Sequence, residues 1–372
     1  MTNIQSASQA DLRPLPLRRA RLPRAEELLP YLRLIDQNQW YSNFGSLVTR
    51  FEARLGQHFG VGPANVTTVA NGTLGLVAAL QAQNIVPGQF CIVPSFTFAA
   101  SPAAAISAGL KPYFFDVDRA SWALDPATVE LAVADGLANV GAVMPVSPFG
   151  APLDVRAWDS FTARTGIPVV LDAAWAFDAR DVGLSPAMIS LHATKVLGVG
   201  EGGLVVSRDP ELIAAIKRLS NFGFDDAHQA ESPGGNYKMS EYAAAIGHAA
   251  LDAWPQNHSS ILAVARAYRA ALSDIPGLRL PGWFGEQAGA TCAVELGEPI
   301  GPQVVSGLQQ HGIEGRLWWG RPCHLHSAYA SCERGPLPNT DWLAPRVLCL
   351  PFYAEISATD VERVRAALVS II

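Results

Sequence analysis

At 372 residues, with 49% hydrophobic and 16% charged side chains, the chain is long enough for a large and a small domain around a substantial core. A formal net charge of -6 gives no basic footprint for a nucleic acid, and no apolar run of membrane-spanning length or signal-peptide pattern appears, so a cytoplasmic location without membrane attachment is expected. The 5 cysteines (Cys91, Cys292, Cys323, Cys332 and Cys349) are scattered, which fits free thiols in a reducing compartment and offers no metal-ligand spacing.

Residues 1 to about 16 are polar and proline-containing, and fraying is expected there. Arg18, Arg19, Arg21 and Arg24 form a basic cluster that suggests a targeting segment, but no fitting apolar stretch follows. Spacing predicts a helix over 23–35, with Leu28, Leu29, Leu32 and Ile35 as its stripe, and a second over 46–59 with Leu47, Phe51, Leu55 and Phe59 inward. From Val66 onward, short β-rich runs alternate with helical patterns, which argues for a parallel or mixed sheet. Strands are predicted at 66–70, 90–93, 112–115, 140–144, 167–171 and 202–206. Helices are predicted from Asn71 to about Gln83, over 126–134, over 153–165 and over 210–222. Residues 225–235 read as a mobile loop before a helix that begins at Met239 or Ser240 and runs to about Ala253. A long helix from Pro255 marks the expected boundary between a large domain (1–254) and a small one (255–372). The small domain is expected to hold a strand at 290–296 and helices over 301–311 and 357–371.

Several stretches carry chemistry. Asn71-Gly72-Thr73 opens a helix, and backbone N–H groups there, with a glycine for close approach, make an anion site or simply a cap. The apolar run 167–171 ends in Asp172, as a buried strand does when it delivers an acid to its C-terminal edge; an ordinary cap would read alike. Lys195 lies in the turn Ser190-Leu-His-Ala-Thr-Lys195. A lysine among small and apolar residues loses its proton cheaply and can form Schiff bases, though a solvated turn lysine has the same appearance. Glu201, between glycines, reads as a structural turn residue. The segment 315–330 carries Arg316, Trp318, Trp319, Arg321, His324 and His326, a set that suits a nucleotide diphosphate and its base as well as it suits a packed loop.

Asn71-Gly72-Thr73, Pro94-Ser-Phe-Thr-Phe98, Asp172-Ala-Ala, Ser190 to Lys195, Gly200-Glu-Gly-Gly203, Asn236 to Glu241 and, near the end, Leu350-Pro-Phe-Tyr353 occur in the order seen in one family. The chain resembles the DegT/DnrJ/EryC1/StrS sugar aminotransferases, a branch of the fold-type I pyridoxal phosphate enzymes. The resemblance implies an aspartate aminotransferase-like α/β fold: a mixed, mostly parallel sheet flanked by helices, with a smaller C-terminal α+β domain. It implies pyridoxal 5′-phosphate bonded to Lys195, its ring nitrogen on Asp172, Phe98 on the ring face, and Gly72, Thr73 and Ser190 at the phosphate. Asn236 is implied to reach the partner's phosphate across a homodimer. Many relatives have glutamine where Trp175 stands, so Trp175 is expected to contact cofactor or substrate and to shape the sugar pocket. Arg316, Trp318, Trp319 and His324 are the other expected substrate contacts, and no metal is expected. The lysine argues against the deoxygenating branch, which carries histidine there. The implied reaction turns a nucleotide-linked 4-keto-6-deoxyhexose, dTDP-4-keto-6-deoxyglucose above all, into its 4-amino-4,6-dideoxy sugar with L-glutamate as donor. A C3-specific aminotransferase and a non-catalytic sensor or scaffold are the alternatives.

Overall fold

The computed structural model describes residues 13–179, 181–225 and 227–372. Among the described residues twelve strands run in chain order as β1 (Val66–Val69), β2 (Phe90–Pro94), β3 (Lys111–Phe115), β4 (Val140–Val143), β5 (Leu171–Asp172), β6 (Ala187–Ser190), β7 (Gly203–Val206), β8 (Leu278–Arg279), β9 (Cys292–Leu296), β10 (Arg316–Leu317), β11 (Glu333–Arg334) and β12 (Val347–Leu350). Strands β11-β3-β2-β4 pair in parallel, and β5-β6-β7-β1 form a second ribbon. Single bridges from Val143 to Val169 and from Val146 to Asp172 join the two ribbons edge to edge. In the joined sheet β7 alone runs against its neighbours, which gives the expected mixed, mostly parallel order. Strands β1, β2 and β7 are buried along nearly their whole length, as strands covered on both faces require, while β3 and β11 at the edge are partly exposed.

The remaining strands make an antiparallel sheet, β10-β12-β9-β8, packed against the helices Trp254–Leu272, Gly301–Gln310 and Ala358–Ile371. Two segments cross between the sheets. β11, late in the chain, pairs with β3 at the edge of the large sheet. Near the other end, Leu15 bridges Ile313 and Leu17 accepts from the Phe352 amide at 3.0 Å.

That strap departs from the fraying expected over 1–16. Residues 1–12 lie outside the described part, but Leu15 is 1% exposed and exchanges backbone hydrogen bonds of 2.9 Å with Gly312 and Glu314. Alternation explains it: Leu15 and Leu17 bury one side of an extended segment, as a strand does. The loop after Asp225 is pinned by the bridges Phe224 to Ala230 and Asn221 to Asn236.

Helix starts follow their caps. The Asn71 carboxamide accepts from the Leu74 amide, Asp125 from Thr128 and Ser240 from Ala243. Glu241 accepts from the Leu47 and Val48 amides at 2.8 and 3.0 Å, so a buried carboxylate caps the helix Ser46–His58.

Candidate active site

Four strands that point the same way deliver four pieces to one edge of the large sheet. β1 runs into Asn71-Gly72-Thr73, β2 into Ser95 to Phe98, β5 ends on Asp172, and β6 ends on Ser190 five residues before Lys195. That edge is where open α/β sheets place ligands. A cavity of about 660 Å³ opens there, with all of these pieces except Ser95 and Phe96 in its wall.

Asp172 is 5% exposed at the cavity floor. Oδ2 accepts from the Ser101 hydroxyl at 2.7 Å and Oδ1 from the Ala174 amide at 3.2 Å, while the Thr97 and Ser101 hydroxyls pair at 3.0 Å. Burial pushes the carboxyl up; the serine, the amide and Lys195 pull it back. A carboxylate held by neutral donors at such depth is short of a cation, and a protonated ring nitrogen supplies one.

Burial lowers the Lys195 amine to about 7, with Arg18 adding to the shift and Asp172 opposing it. Its Nζ lies 4.1 Å from the centroid of the Trp175 ring. A substantial neutral fraction therefore exists near neutral pH, as a nucleophile or proton carrier requires.

At the opposite end, the helix Gly72–Gln81 points its first turn at the cavity. A Cβ on Gly72 would lie 2.8 Å from Met188 Sδ, and one on Gly203 2.9 Å from the Gly72 nitrogen. Only bare backbone lets β7, β6 and this helix start approach so closely, and the first-turn N–H groups form an anion cradle with Thr73 and Ser190 beside it. Phe98 stands in the wall with 58% of its surface exposed, whereas Phe96 is core and packs edge-on to Trp319. An acid at one end, an amine at the side, an anion cradle at the other end and a flat ring between them fit pyridoxal phosphate.

Other candidates divide. Trp175, Trp318 and Trp319 line the cavity; Trp318 meets Trp175 edge-on at 5.6 Å, and Trp319 stacks on Phe149 at 4.6 Å. Glu201, read as a turn residue, also lines it, with its carboxylate 3.7 Å from His192 Nε2. Arg316 is exposed on β10, ion-paired to Glu314 at 3.5 Å and outside the described lining. Asn236 is exposed and also outside that lining, although the next residue, Tyr237, accepts from the Ala70 amide at the phosphate end.

His324, an expected substrate contact, is turned inward instead. It is 6% exposed, its Nδ1 is 2.7 Å from the Ser95 hydroxyl, and its Nε2 is 3.5 Å from Asp341. The trio looks like a hydrolytic triad, but the serine is fully buried, accepts from the His324 amide and lies outside the described lining of the cavity. It ties the segment after Trp319 to the end of β2.

Three residues in or behind the cavity wall carry no clear signal in the sequence. Ser101 sits in an alanine-rich helix, Thr97 within a hydrophobic motif, and Arg18 in a basic cluster. The alternation of Leu15 and Leu17 is the one mark that could have shown Arg18 to be held in place.

The profile of the DegT/DnrJ/EryC1/StrS aminotransferase family matches residues 24–369. The chain belongs to this family. It is thus a pyridoxal phosphate-dependent sugar aminotransferase of fold type I. It is 30% identical to the dTDP-4-amino-4,6-dideoxy-D-glucose transaminase of Shigella dysenteriae, covering 94% of this chain and 97% of that one. Among solved structures, a PLP-dependent aminotransferase from Bacillus cereus superposes with a TM-score of 0.89 at 32% identity, covering 96% and 100% of the two chains. DesI, solved in the presence of its TDP-sugar product, gives 0.86 at 34% identity over 97% and 93%. Among the described residues no helix is long and apolar enough to cross a membrane.

Proposed function

We propose that this aminotransferase carries the amino group of L-glutamate to C4 of a nucleotide-linked 4-keto-6-deoxyhexose, with dTDP-4-keto-6-deoxyglucose as the leading substrate. The donor leaves as its 2-oxo acid and the sugar as the 4-amino-4,6-dideoxy product, so a carbonyl oxygen and an amine change places. The observation that carries the reading is the poised pair in one cavity: a lysine brought to about 7 and a buried aspartate at the floor. Likeness to the Shigella transaminase and to DesI favours the dTDP-linked 4-keto class.

Pyridoxal phosphate supplies the electron sink for the charge left when the donor's Cα proton departs. The chain does the rest. Asp172, fixed by Ser101 and Ala174, would hold the proton on the ring nitrogen. Gly72, Thr73 and Ser190 would hold the phosphate, and Phe98 would lie against the ring. Lys195 Nζ takes the Cα proton of the donor and, in the second half of the cycle, returns a proton to the sugar carbon that has gained nitrogen. The three tryptophans wall off the sugar side and exclude water. The reading includes a homodimer in which Asn236 serves the partner's phosphate site. A scaffold would not need a lysine poised near neutrality.

The test is a panel of dTDP- and UDP-linked 3-keto and 4-keto hexoses, incubated with holoenzyme and L-glutamate and read by product mass and NMR. Amination at C4 of the dTDP-linked 6-deoxy sugar is the expected outcome. Turnover confined to 3-keto sugars would refute the assignment.

A further inference from the structure

Arg18 receives no task in this mechanism. The strap pinned at Leu15 and Leu17 brings it into the cavity wall, where its guanidinium lies between two rings, 4.2 Å from the Trp175 centroid and 4.1 Å from that of Trp318. Ring faces attract a cation but leave its in-plane N–H groups without acceptors. Nε and Nη2 are buried and have no hydrogen-bond partner among the described residues. Such a fork, desolvated and held by a fixed strap, is built to take the two oxygens of a carboxylate.

We infer that Arg18 binds the α-carboxylate of the amino donor. This rests on the aminotransferase reading but not on the identity of the sugar. Position selects the anion. Lys195 Nζ and the Arg18 guanidinium lie 4.1 and 4.2 Å from the same Trp175 centroid, so the two cations are at most about 8 Å apart. An amino acid carries its carboxylate on the carbon that bears the amine, and that amine must reach the place Lys195 serves. A nucleotide-linked hexose carries its diphosphate on C1, across the ring from C4, so that anion stands several bonds farther from the reacting carbon than the donor's carboxylate does. The donor carboxylate therefore fits Arg18, and the diphosphate belongs farther out.

Occupancy also has an electrostatic consequence. Arg18 helps to hold the Lys195 amine low. A carboxylate on the guanidinium cancels that influence and raises the proton affinity of Lys195 just as it must take the Cα proton.

The donor half-reaction can be followed without any sugar, as the absorbance change of the bound cofactor when an α-amino acid is titrated into holoenzyme. Arg18→Gln is expected to raise the half-saturating L-glutamate concentration by about 100-fold, with Arg18→Lys recovering part of the loss. The second half-reaction, from aminated enzyme and keto sugar, loses only the influence of Arg18 on the Lys195 amine and is expected to fall at least about tenfold less than the donor half. Discrimination between L-glutamate and 4-aminobutyrate, which lacks the α-carboxylate, should collapse in Arg18→Gln. Glutarate should perturb tryptophan fluorescence in the parent protein and not in that variant. An unchanged donor titration in both variants overturns the inference, as does a sugar half-reaction that falls as much as the donor half, which would place the diphosphate on Arg18. If Arg18→Gln does not fold, Arg18→Lys decides alone, and parental donor affinity in it overturns the bidentate site. Normal donor titration with no turnover of any 4-keto sugar would sink the proposed substrate and leave Arg18 standing; inertness to every α-amino acid would sink both.

Discussion

Replacing Lys195 by methionine should make the cofactor-free protein more stable, in a way that depends on pH. Methionine keeps the length and flexibility of the side chain against Trp175 but removes the amine. In the native state burial brings the amine from 10.5 to about 7, so between those values the unfolded chain binds a proton that the folded chain does not. The lysine therefore costs stability in full below pH 7, less as pH rises, and nothing above about 10.5. At about 1.36 kcal/mol per pH unit the ceiling is about 5 kcal/mol at pH 7, falling to about 2 at pH 9. Lys195 keeps part of its surface on the cavity, so a gap of about 2–4 kcal/mol at pH 7 is expected after solvent relaxation. Urea unfolding of both cofactor-free proteins at matched concentration, from pH 6.5 to 10, measures it. The gap between variant and parent should narrow by about 1 kcal/mol per unit above pH 7. A gap that stays flat across this range, or a parent more stable than the variant at pH 7, would refute the claim that burial sets the amine's proton affinity.

Two further outcomes follow from the same site. Ser101→Ala removes the hydroxyl 2.7 Å from Asp172 Oδ2 and is expected to weaken pyridoxal phosphate binding about tenfold, by equilibrium dialysis, with the unfolding midpoint nearly unchanged. If Asn236 serves the partner's site, inactive Lys195→Ala dimers and impaired Asn236→Ala dimers, unfolded together and refolded as an equal mixture, should regain roughly a quarter of parental activity, because each mixed dimer holds one intact site; no recovery beyond the Asn236→Ala protein alone would refute sharing.

How far the site is legible in the sequence depends on how far apart its parts lie along the chain. Asp172 and the turn to Lys195 are plain, because a buried parallel strand is a short apolar run whose first polar residue marks its end. Gly72 and Thr73 are legible for the same local reason, at the junction of a strand and a capped helix. Ser101 is not: its pairing with Asp172 spans 71 positions, and nothing in an alanine-rich helix marks it. His324 misleads, since its neighbours Trp318 and Trp319 line the cavity while short 3-10 turns rotate the histidine toward Ser95. Sequence proximity to a site residue says little about direction once regular structure ends.

Arg18 shows the limit best, and it also separates what relatives share from what they need not. The proposed catalytic machinery, drawn from residues 71 to 195, comes from one edge of one sheet, where the fold itself sets the geometry. The strap that carries Arg18 is placed by Gly312, Glu314 and Phe352, and the tryptophan pair by the turn after β10. Neither segment is needed to form the edge. The sheet edge can therefore keep Lys195, Asp172 and the Gly72 helix start in place whatever residues the strap and that turn carry. Trp175 stands between the two sets, with Lys195 and Arg18 each held over its ring and Trp318 against its edge. A smaller residue there would release both cations at once. Substitution at Trp175 should thus alter donor affinity and the proton affinity of Lys195 together, whereas substitution at Trp318 leaves the amine's own contact in place.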